Sequence, residues 1–411
     1  MAGVGSSAAV YQQLGVRTIV NAVGPATRLG GTTLDAEVLR AMAEAASACV
    51  PIDELQQCAG RVIAGITGAE AGYVTSGAAA GLALAAAAAM TGLDPTRINR
   101  LPDVTGTPHE IIVQRAQRYD YDHAFRSVGA RLVEVGFPDL TFAYEIESAI
   151  TPLTAAIAFY PTPSRPCLPL DEVVDIAHRH HLPVIVDAAM ELPPTASLRR
   201  YTAAGADLVA FSGGKAIRGP QASGFLAGRA DLIRAVALNH QDMDVRPSTW
   251  GQRALIASGE IVGPPHHGIG RAMKVGKEEI VGLIVALQRF VERDEAAEVV
   301  AWRAKLQYIA SALDNVAGVH VDVADPATHD VAVPTVSIRL DETFLGRSAY
   351  DVLNELSAGD GGVFLNEERA WQGVLGVNPI ALRDGDECAV ANRLRAVLGA
   401  ASAPVDSTSG R

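Results

Sequence analysis

Short apolar runs alternate with helical patterns over the first two thirds of the chain, and this alternation limits the possible folds more than any other feature. Six runs predict strands, at residues 110–114, 130–136, 155–161, 182–189, 206–214 and 223–228. Residues 170–181 place apolar side chains at helical spacing, which predicts a crossover helix between two of the strands. Strands connected by helices form a mostly parallel sheet with helices on its faces. The sequence therefore predicts an α/β fold with a doubly wound, mostly parallel sheet in a large domain.

The last third of the chain shows a different order of elements. After the Pro- and Gly-rich residues 261–270, a long helical pattern runs from near Lys274 to Asp314. Three further apolar runs and a closing helix predict a smaller C-terminal α+β domain, at residues 318–323, 335–340, 361–365 and 386–399. We therefore divide the chain into four parts: an N-terminal arm (1–20), a large domain (21–265), an interdomain helix with the small domain (266–400) and a disordered tail (401–411).

Charge and composition exclude several classes of protein. The chain of 411 residues has a net charge of -12 and no basic block, which argues against a nucleic-acid partner. Residues 74–93 are uncharged over the length of a membrane span, but they are mostly small residues, so we expect a buried helix and no membrane partner. The four cysteines form no CxxC pair, and the N-terminus does not resemble a signal peptide. We expect a cytoplasmic protein.

Two polar residues follow neighbouring predicted strands. Asp187 ends one strand, and Lys215 lies 28 residues later in the loop that follows the next strand. Because functional groups gather at the carboxyl ends of parallel strands, we expect the carboxylate and the amine to meet there. Upstream, Thr75 and Ser76 precede a predicted helix at a glycine turn, and the N–H groups at such a helix start bind anions.

Together these features match what pyridoxal 5'-phosphate requires, namely a lysine that bonds the cofactor, a carboxylate for the ring nitrogen and a phosphate site. Each feature has a structural alternative: a solvated loop lysine, a helix-capping aspartate or a closely packed helix. The Walker A phosphate-binding motif is excluded, because Val209 and Ala216 stand where it needs glycine and a hydroxyl residue. No GxGxxG motif supports a nicotinamide cofactor.

Longer stretches of the sequence resemble a known group of enzymes. They are "VNAVGPATRLGG", "DELQQCAGRVIAGITGAEAGYVTSGAAAGLALAAAAAMTG", "VIVDAAMELPP", "FSGGKAIRGPQASG" and "GIGRAMKVGKEEIVGL". They are similar to the selenocysteine synthase-like branch of fold-type I pyridoxal phosphate enzymes, and most similar to the D-glucosaminate-6-phosphate ammonia-lyase group. The resemblance covers about residues 10 to 300 and is weaker towards the C-terminus.

The resemblance implies roles for individual residues. Lys215 would bond the cofactor and Asp187 would keep its ring nitrogen protonated. His123, which follows the third strand of the family's pattern, would stack on the ring. The phosphate would be held by four residues, Ser76, Gly77, Ala78 and Ser212. The glycines beside Lys215 would leave room for the cofactor.

Four cationic residues are further candidates under the resemblance. Arg271 and Lys274 would reach the active site of a neighbouring subunit, with a solvated first helical turn as the alternative. Arg28 would bind the substrate carboxylate, with Arg383 as second choice. Two histidine clusters, at residues 178–181 and 264–267, show no carboxylate or cysteine at ligand spacing, so we expect no metal site.

The implied reaction starts with removal of the Cα proton of an amino acid by Lys215. Loss of a β-hydroxyl group would then give a 2-keto acid and ammonia, which is the ammonia-lyase reaction. Racemisation and β-replacement would use the same carbanion, aldol cleavage would reach it by breaking the Cα–Cβ bond, and a non-catalytic binding module remains a further alternative. The sequence shows no additional phosphate-binding cluster beyond Arg271, Lys274 and Lys277, which leaves a smaller, unphosphorylated substrate open. Active sites of this fold are shared across a subunit interface, so we expect a homodimer or a larger homo-oligomer.

Overall fold

The computed structural model describes residues 8–161, 167–329 and 331–399. These residues form two compact units. The larger unit is continuous from Leu34 to Glu292, and the smaller one combines the described residues up to Thr33 with those from Arg293 onward. The predicted division at residues 265 and 266 falls inside the larger unit. The predicted tail (401–411) and the first seven residues of the predicted arm lie outside the described residues.

Twelve strands occur in the described part of the chain. They are β1 (Val20–Ala22), β2 (Ala71–Thr75), β3 (Glu110–Gln114), β4 (Arg131–Val135), β5 (Thr154–Phe159), β6 (Val184–Asp187), β7 (Leu208–Ser212), β8 (Gly224–Gly228), β9 (Val319–Ala324), β10 (Thr335–Leu340), β11 (Val363–Leu365) and β12 (Val374–Val377). All six strands predicted for the large domain are present, as are the three predicted near the C-terminus. Strands β1, β2 and β12 were not predicted.

The same residues contain sixteen α-helices and six short 3-10 helices. The α-helices are α1 (Ala8–Gln13), α2 (Ala36–Ala46), α3 (Ile52–Thr67), α4 (Ala78–Thr91), α5 (Pro95–Arg100), α6 (His123–Ser127), α7 (Ala143–Ala149), α8 (Leu170–Arg179), α9 (Ser197–Ala203), α10 (Ala230–His240), α11 (Ala254–Ala257), α12 (Lys277–Glu292), α13 (Glu295–Ser311), α14 (Glu342–Leu345), α15 (Ala349–Ser357) and α16 (Asp386–Gly399). The 3-10 helices are Thr27–Leu29, Arg115–Gln117, Asp120–Asp122, Ile269–Met273, Ala370–Gln372 and Pro379–Ala381.

A seven-stranded sheet forms the centre of the larger unit, in the order β2-β8-β7-β6-β5-β3-β4. The five strands from β7 to β4 are parallel, and β8 runs antiparallel to both of its neighbours. The predicted crossover is present, because α8 connects the adjacent parallel strands β5 and β6. The carboxyl ends of β5, β6 and β7 therefore lie side by side. Two of the predicted site residues, Asp187 and Ser212, end the strands β6 and β7 at this edge.

The uncharged segment 74–93 is divided between strand β2 and helix α4. Ten of the fourteen residues of α4 are buried, including a continuous run of residues from 81 to 88. The helix packs against α10 and against β7 and β8 of the sheet, so its small side chains allow close contact on more than one side. No helix among the described residues is long and apolar enough to cross a membrane.

The predicted long helix from Lys274 to Asp314 is two helices in the structure. Helix α12 ends at Glu292 in the larger unit, and α13 begins at Glu295 in the smaller one. The cause is local: the side chain of Asp294 accepts a hydrogen bond from the backbone N–H of Ala297, which makes Asp294 the N-cap of α13.

The smaller unit contains two small sheets and its own apolar core. Strands β1 and β11 pair in parallel, and β12, β10 and β9 form an antiparallel sheet in that order. Buried side chains from helices α13, α15 and α16 pack with those of the strands. This arrangement is the predicted small α+β fold, extended by the N-terminal strand β1.

Candidate active site

Asp187 and Lys215 lie at the same edge of the large sheet. Asp187 is the last residue of β6, and Ser212 is the last residue of the adjacent strand β7, three residues before Lys215. Asp187 is buried, while Ser212 and Lys215 are half-buried. Each strand ends at this edge and is followed by a loop. Asp187 and Ser212 are therefore held by rigid strand ends, and Lys215 lies in the loop after β7.

The amine of Lys215 lies in a partly desolvated environment. Burial lowers the pKa of Lys215 below its usual value, and the negative charge of Asp187 acts in the opposite direction. The Nζ atom of Lys215 donates a hydrogen bond to the Sδ atom of Met190 at 3.0 Å. A lysine with a lowered pKa is neutral more often at a given pH, and a neutral amine can act as a nucleophile and as a base.

The pKa of the Asp187 carboxyl group is subject to opposing effects. Burial raises its pKa, while three contacts favour its charged form. These contacts are a hydrogen bond from the Tyr119 hydroxyl, a hydrogen bond from the backbone N–H of Ala189 at 2.9 Å and the nearby positive charge of Lys215. The pKa of Asp187 remains raised overall, but each carboxylate oxygen has a donor.

Tyr119 was not identified from the sequence. Its hydroxyl group donates to Oδ2 of Asp187, and its ring stacks on that of Tyr160 with centroids 4.2 Å apart and planes within 8°. Burial and the adjacent carboxylate raise the pKa of the Tyr119 hydroxyl, so it stays protonated and remains a donor. His123, the residue predicted to stack on the cofactor ring, begins helix α6 with an exposed side chain. In this structure Tyr119, four residues earlier, makes the contact with Asp187.

Close packing of the backbone also explains why glycines precede Lys215, in addition to the predicted need for room beside the cofactor. A Cβ atom on Gly214 would lie 2.8 Å from the Cα atom of Gln221, and one on Gly213 would collide with the side chains of Ser223 and Leu283. The loop folds back on itself, because the N–H of Gly213 donates to the carbonyl of Ser223 at 2.9 Å. These glycines therefore hold the backbone of the lysine loop close to β8.

The predicted anion site lies at the start of α4. Gly77 is the N-cap of this 14-residue helix, has a φ of 123°, and provides no side chain to cap the first N–H groups. The hydroxyl of Ser76 donates to the carbonyl of Met273 at 2.8 Å, and that of Thr75 to the carbonyl of Gly77 at 2.9 Å. Since both hydroxyls contact carbonyl groups, the backbone N–H groups from Gly77 and Ala78 onward are the main donors that this turn offers to an anion.

Arg271 and Lys274 line a cavity of about 1210 Å³ within the larger unit. Arg271 pairs with Asp242, with Nη2 and Oδ2 3.2 Å apart. Neither Lys215 nor Asp187 is among the described residues that line this cavity. The prediction that Arg271 and Lys274 serve a neighbouring subunit stays a prediction.

The two arginines predicted to bind the substrate carboxylate lie in the smaller unit. Arg28 pairs with Glu367 at 2.9 Å, and Arg383 pairs with Asp386 at 3.3 Å. Each guanidinium group thus already faces a carboxylate of its own unit. Their proposed role in substrate binding stays a prediction.

The histidine clusters have carboxylate partners that the sequence did not reveal. His178 pairs with the buried Asp207 at 2.9 Å, and His267 lies 3.2 Å from Asp244. His267, Asp244 and Asp242 are close enough together to hold a metal ion, but all three are exposed, and Asp242 is paired with Arg271. These partners lie 23 to 29 residues away in sequence, outside the ligand spacing that the sequence was searched for, and the expectation of no metal site stays a prediction.

Comparison with known proteins identifies the family. The family model described as SelA, L-seryl-tRNA selenium transferase, matches residues 27–246, which is more than half of the chain. The chain belongs to this family. The resemblance predicted from the sequence is thus confirmed.

Two characterised relatives match almost the whole chain. The D-glucosaminate-6-phosphate ammonia lyase of Salmonella typhimurium is 35% identical over 397 residues, which cover 94% of this chain and 97% of that protein. The 5'-C-glycyluridine monooxygenase-decarboxylase of a Streptomyces species is also 35% identical, over 403 residues that cover 96% of this chain and 93% of that protein. Two relatives named for different reactions thus match this chain at the same level of identity.

A solved structure of a D-glucosaminate-6-phosphate ammonia-lyase matches the fold. Its TM-score is 0.79 at 34% sequence identity, and the match covers 96% of this chain and 99% of that one. The predicted fold-type I architecture is confirmed. Together with the sequence match, this structure supports the predicted enzyme class, a lyase of the ammonia-lyase type.

Proposed function

We propose that this chain is a pyridoxal 5'-phosphate-dependent ammonia-lyase that converts a 2-amino-3-hydroxy acid to a 2-keto acid and ammonia. The observation that carries the proposal is that Lys215, whose pKa is lowered by burial, and the buried Asp187 lie at one sheet edge and influence each other electrostatically. The similarity to an ammonia lyase over almost the whole chain supports the choice of reaction.

The residues at this edge fit pyridoxal 5'-phosphate. Lys215 would hold the cofactor covalently through Nζ, and Asp187 would contact its ring nitrogen. The phosphate group would lie at the start of α4, where Ser76, Gly77 and Ala78 form the turn and Ser212 ends the adjacent strand β7. No acidic residue stands in the first turn of α4, so the helix dipole favours an anion there without competition.

The chain's own groups account for the first chemical step. When bound, pyridoxal 5'-phosphate serves as an electron sink for the Cα–H bond of the substrate. Lys215 is the general base, and Nζ takes the Cα proton, because its lowered pKa makes it neutral more often at a given pH. Asp187 in its charged form stabilises positive charge at the ring nitrogen, and Tyr119 and Ala189 hold its two oxygens in place. The substrate then loses its β-hydroxyl group as water and, after hydrolysis, releases ammonia.

Incubation with D- and L-2-amino-3-hydroxy acids in deuterated water tests the reaction. We expect equal amounts of 2-keto acid and ammonium from the preferred enantiomer. Cα deuteration with inversion and no keto acid would instead indicate a racemase, and release of glycine with an aldehyde would indicate aldol cleavage. Either result would overturn the ammonia-lyase assignment.

Oxygen-dependent decarboxylation is the second candidate function. It rests on the relative named as a monooxygenase-decarboxylase, which is as similar to this chain as the ammonia lyase is. The two candidates differ in whether they need oxygen. If amino-acid turnover stops under anaerobic conditions and is accompanied by oxygen uptake and carbon dioxide release, the second candidate replaces the first.

The Tyr119→Phe variant should shift the acidic limb of the pH profile of kcat/KM to higher pH. The Tyr119 hydroxyl lowers the pKa of Asp187, so its removal lets burial raise that pKa further. A hydrogen bond to a charged group contributes about 1.5–3 kcal/mol, which corresponds to a shift of about one to two pH units. Because Asp187 acts in its charged form, activity should be lost on the acidic side and largely retained at higher pH.

Tyr121→Phe provides the matched control for this shift. Tyr121 lies in the same segment, with its ring centroid 5.8 Å from that of Tyr119, and its side chain is exposed. We expect its profile to follow that of the wild type. An unchanged acidic limb in Tyr119→Phe would show that the charge state of Asp187 does not limit the reaction.

We further infer that the chain acts as a cytoplasmic homodimer. The four cysteines, all among the described residues, form no disulfide bond there, which is compatible with a reducing compartment. Exposed apolar side chains, Ile52 and Val245, line the cavity that contains Arg271 and Lys274, and a second copy of the chain would cover them. Sedimentation equilibrium should give twice the mass of the 42.9 kDa chain, and a monomer at enzyme-assay concentrations would contradict the inference.

A further inference from the structure

Met190 is in direct contact with Lys215, and the proposed reaction gives it no role. It lies three residues after Asp187, in the segment that leaves β6. Its Sδ atom accepts a hydrogen bond from Nζ of Lys215 at 3.0 Å. Met190 as a whole residue is nevertheless 56% exposed, so solvent reaches the side chain that contacts the reactive amine.

The chemistry of the thioether group explains why this contact suits a reactive amine. A thioether sulfur is a weak hydrogen-bond acceptor, whereas a carboxylate or amide oxygen is a strong one. A strong acceptor at this position would favour the charged form of Lys215 and raise its pKa. The sulfur of Met190 therefore contacts Nζ without adding a strong acceptor there, and burial keeps the pKa of Lys215 below its usual value.

Met190 also differs in exposure from the other described methionines. Met90 is buried, and the three remaining ones, Met42, Met243 and Met273, are half-buried. Oxidation of methionine follows the exposure of its sulfur. Among the described methionines, Met190 is thus the one most accessible to an oxidant.

We propose that Met190 is a positioning residue for Lys215 and an oxidation site that controls the reactivity of the amine. Hydrogen peroxide transfers one oxygen atom to Sδ, so that the sulfur is oxidised to the sulfoxide and the peroxide is reduced to water. The new oxygen is a strong acceptor beside Nζ and favours the protonated amine. Oxidation therefore slows reactions that need neutral Lys215, and methionine sulfoxide reductases reverse the effect. This inference rests on the proposed function in one respect: both take the neutral amine of Lys215 as the reacting group.

The test measures Lys215 itself in the full-length chain. The protein is freed of cofactor with hydroxylamine, treated with hydrogen peroxide, and then mixed with pyridoxal 5'-phosphate while visible absorbance is followed at several pH values. In parallel, the acetylation rate of Lys215 is measured by peptide mass spectrometry. We expect both rates to fall about tenfold near neutral pH after oxidation, which corresponds to a rise of about one unit in the pKa of Lys215. Both rates should recover at higher pH.

Two substitutions of Met190 by residues of similar size distinguish an effect of Met190 on Lys215 from general damage to the protein by peroxide. Met190→Leu removes the sulfur, so its rates should not respond to peroxide. Met190→Gln places an amide oxygen near Nζ without oxidation and should reproduce the slow rates of the oxidised protein. Met243→Leu is the matched control and should respond to peroxide as the wild type does. Recovery after treatment with both methionine sulfoxide reductases excludes oxidised cysteines as the cause.

The outcomes distinguish this inference from the proposed function. Equal slowing of Met190→Leu by peroxide would overturn the inference, as would an unchanged pH profile in protein whose Met190 is shown by mass spectrometry to be the sulfoxide. If pyridoxal 5'-phosphate never bonds to Lys215 but oxidation of Met190 still slows its acetylation, the inference holds and the proposed function fails.

Discussion

Lys215→Arg should give a folded protein that no longer bonds pyridoxal 5'-phosphate and whose turnover is lower by about a thousandfold or more. Arginine keeps the positive charge and the approximate length of the side chain. Its guanidinium group stays protonated, however, so it can neither act as a nucleophile nor accept the Cα proton. Borohydride reduction of the protein with cofactor, followed by peptide mapping, measures the bond, and steady-state kinetics measure the turnover.

The small number of lysines makes this experiment decisive. The chain has only four, Lys215, Lys274, Lys277 and Lys305, so a labelled peptide identifies its residue without ambiguity. Lys305→Arg is the control, because Lys305 pairs with Asp384 at 2.9 Å in the smaller unit and arginine keeps that pairing. A label on Lys274 or Lys277, or normal turnover in Lys215→Arg, would refute the assignment of Lys215.

Five strands of the large sheet, β3, β5, β6, β7 and β8, could be predicted because almost all of their residues are buried. A strand covered by helices on both sides is a continuous apolar run, and β6 and β7 show this pattern clearly. Strand β2, "AGYVT", was missed because its run of large apolar side chains is only two residues long, Tyr73 and Val74, between Gly72 and Thr75. The end of α12 was also missed, because the cap that starts α13 depends on the single side chain of Asp294.

The candidate site could be predicted only where position along a strand determines position in space. The position of Asp187 could be predicted because it ends strand β6, and that of Lys215 because it lies in the loop after the neighbouring strand β7. Tyr119 could not be found in this way, because its contact with Asp187 spans 68 residues of sequence. The only local signal was the pair of tyrosines at 119 and 121 after strand β3, which a surface segment could equally contain. The bond from Ser76 to the carbonyl of Met273 spans 197 residues and is equally invisible in the sequence.

Asp187→Asn should lower turnover by about a hundredfold to a thousandfold, the usual loss when one preorganised electrostatic group is removed. Asparagine keeps the shape of the side chain but cannot carry the charge that stabilises a protonated ring nitrogen. It also replaces one acceptor oxygen with an NH₂ group, so one of the donors, Tyr119 or Ala189, loses its partner. We expect a loss of about 1–3 kcal/mol in the free energy of unfolding, measured by urea denaturation. Asp175→Asn, an exposed change on α8, is the control for general effects.

A second measurement separates the electrostatic role of Asp187 from damage to the fold. The charge of Asp187 raises the pKa of Lys215, so removing that charge lowers this pKa further. At neutral pH a larger fraction of Lys215 is then neutral, and acetylation of Lys215 should become faster in Asp187→Asn while turnover becomes slower. A general loss of structure would move Lys215 towards water and return its pKa to the usual value, which slows acetylation at neutral pH. Faster acetylation with slower turnover therefore indicates that Asp187 acts through its charge on two partners, the amine of Lys215 and the group that the site binds.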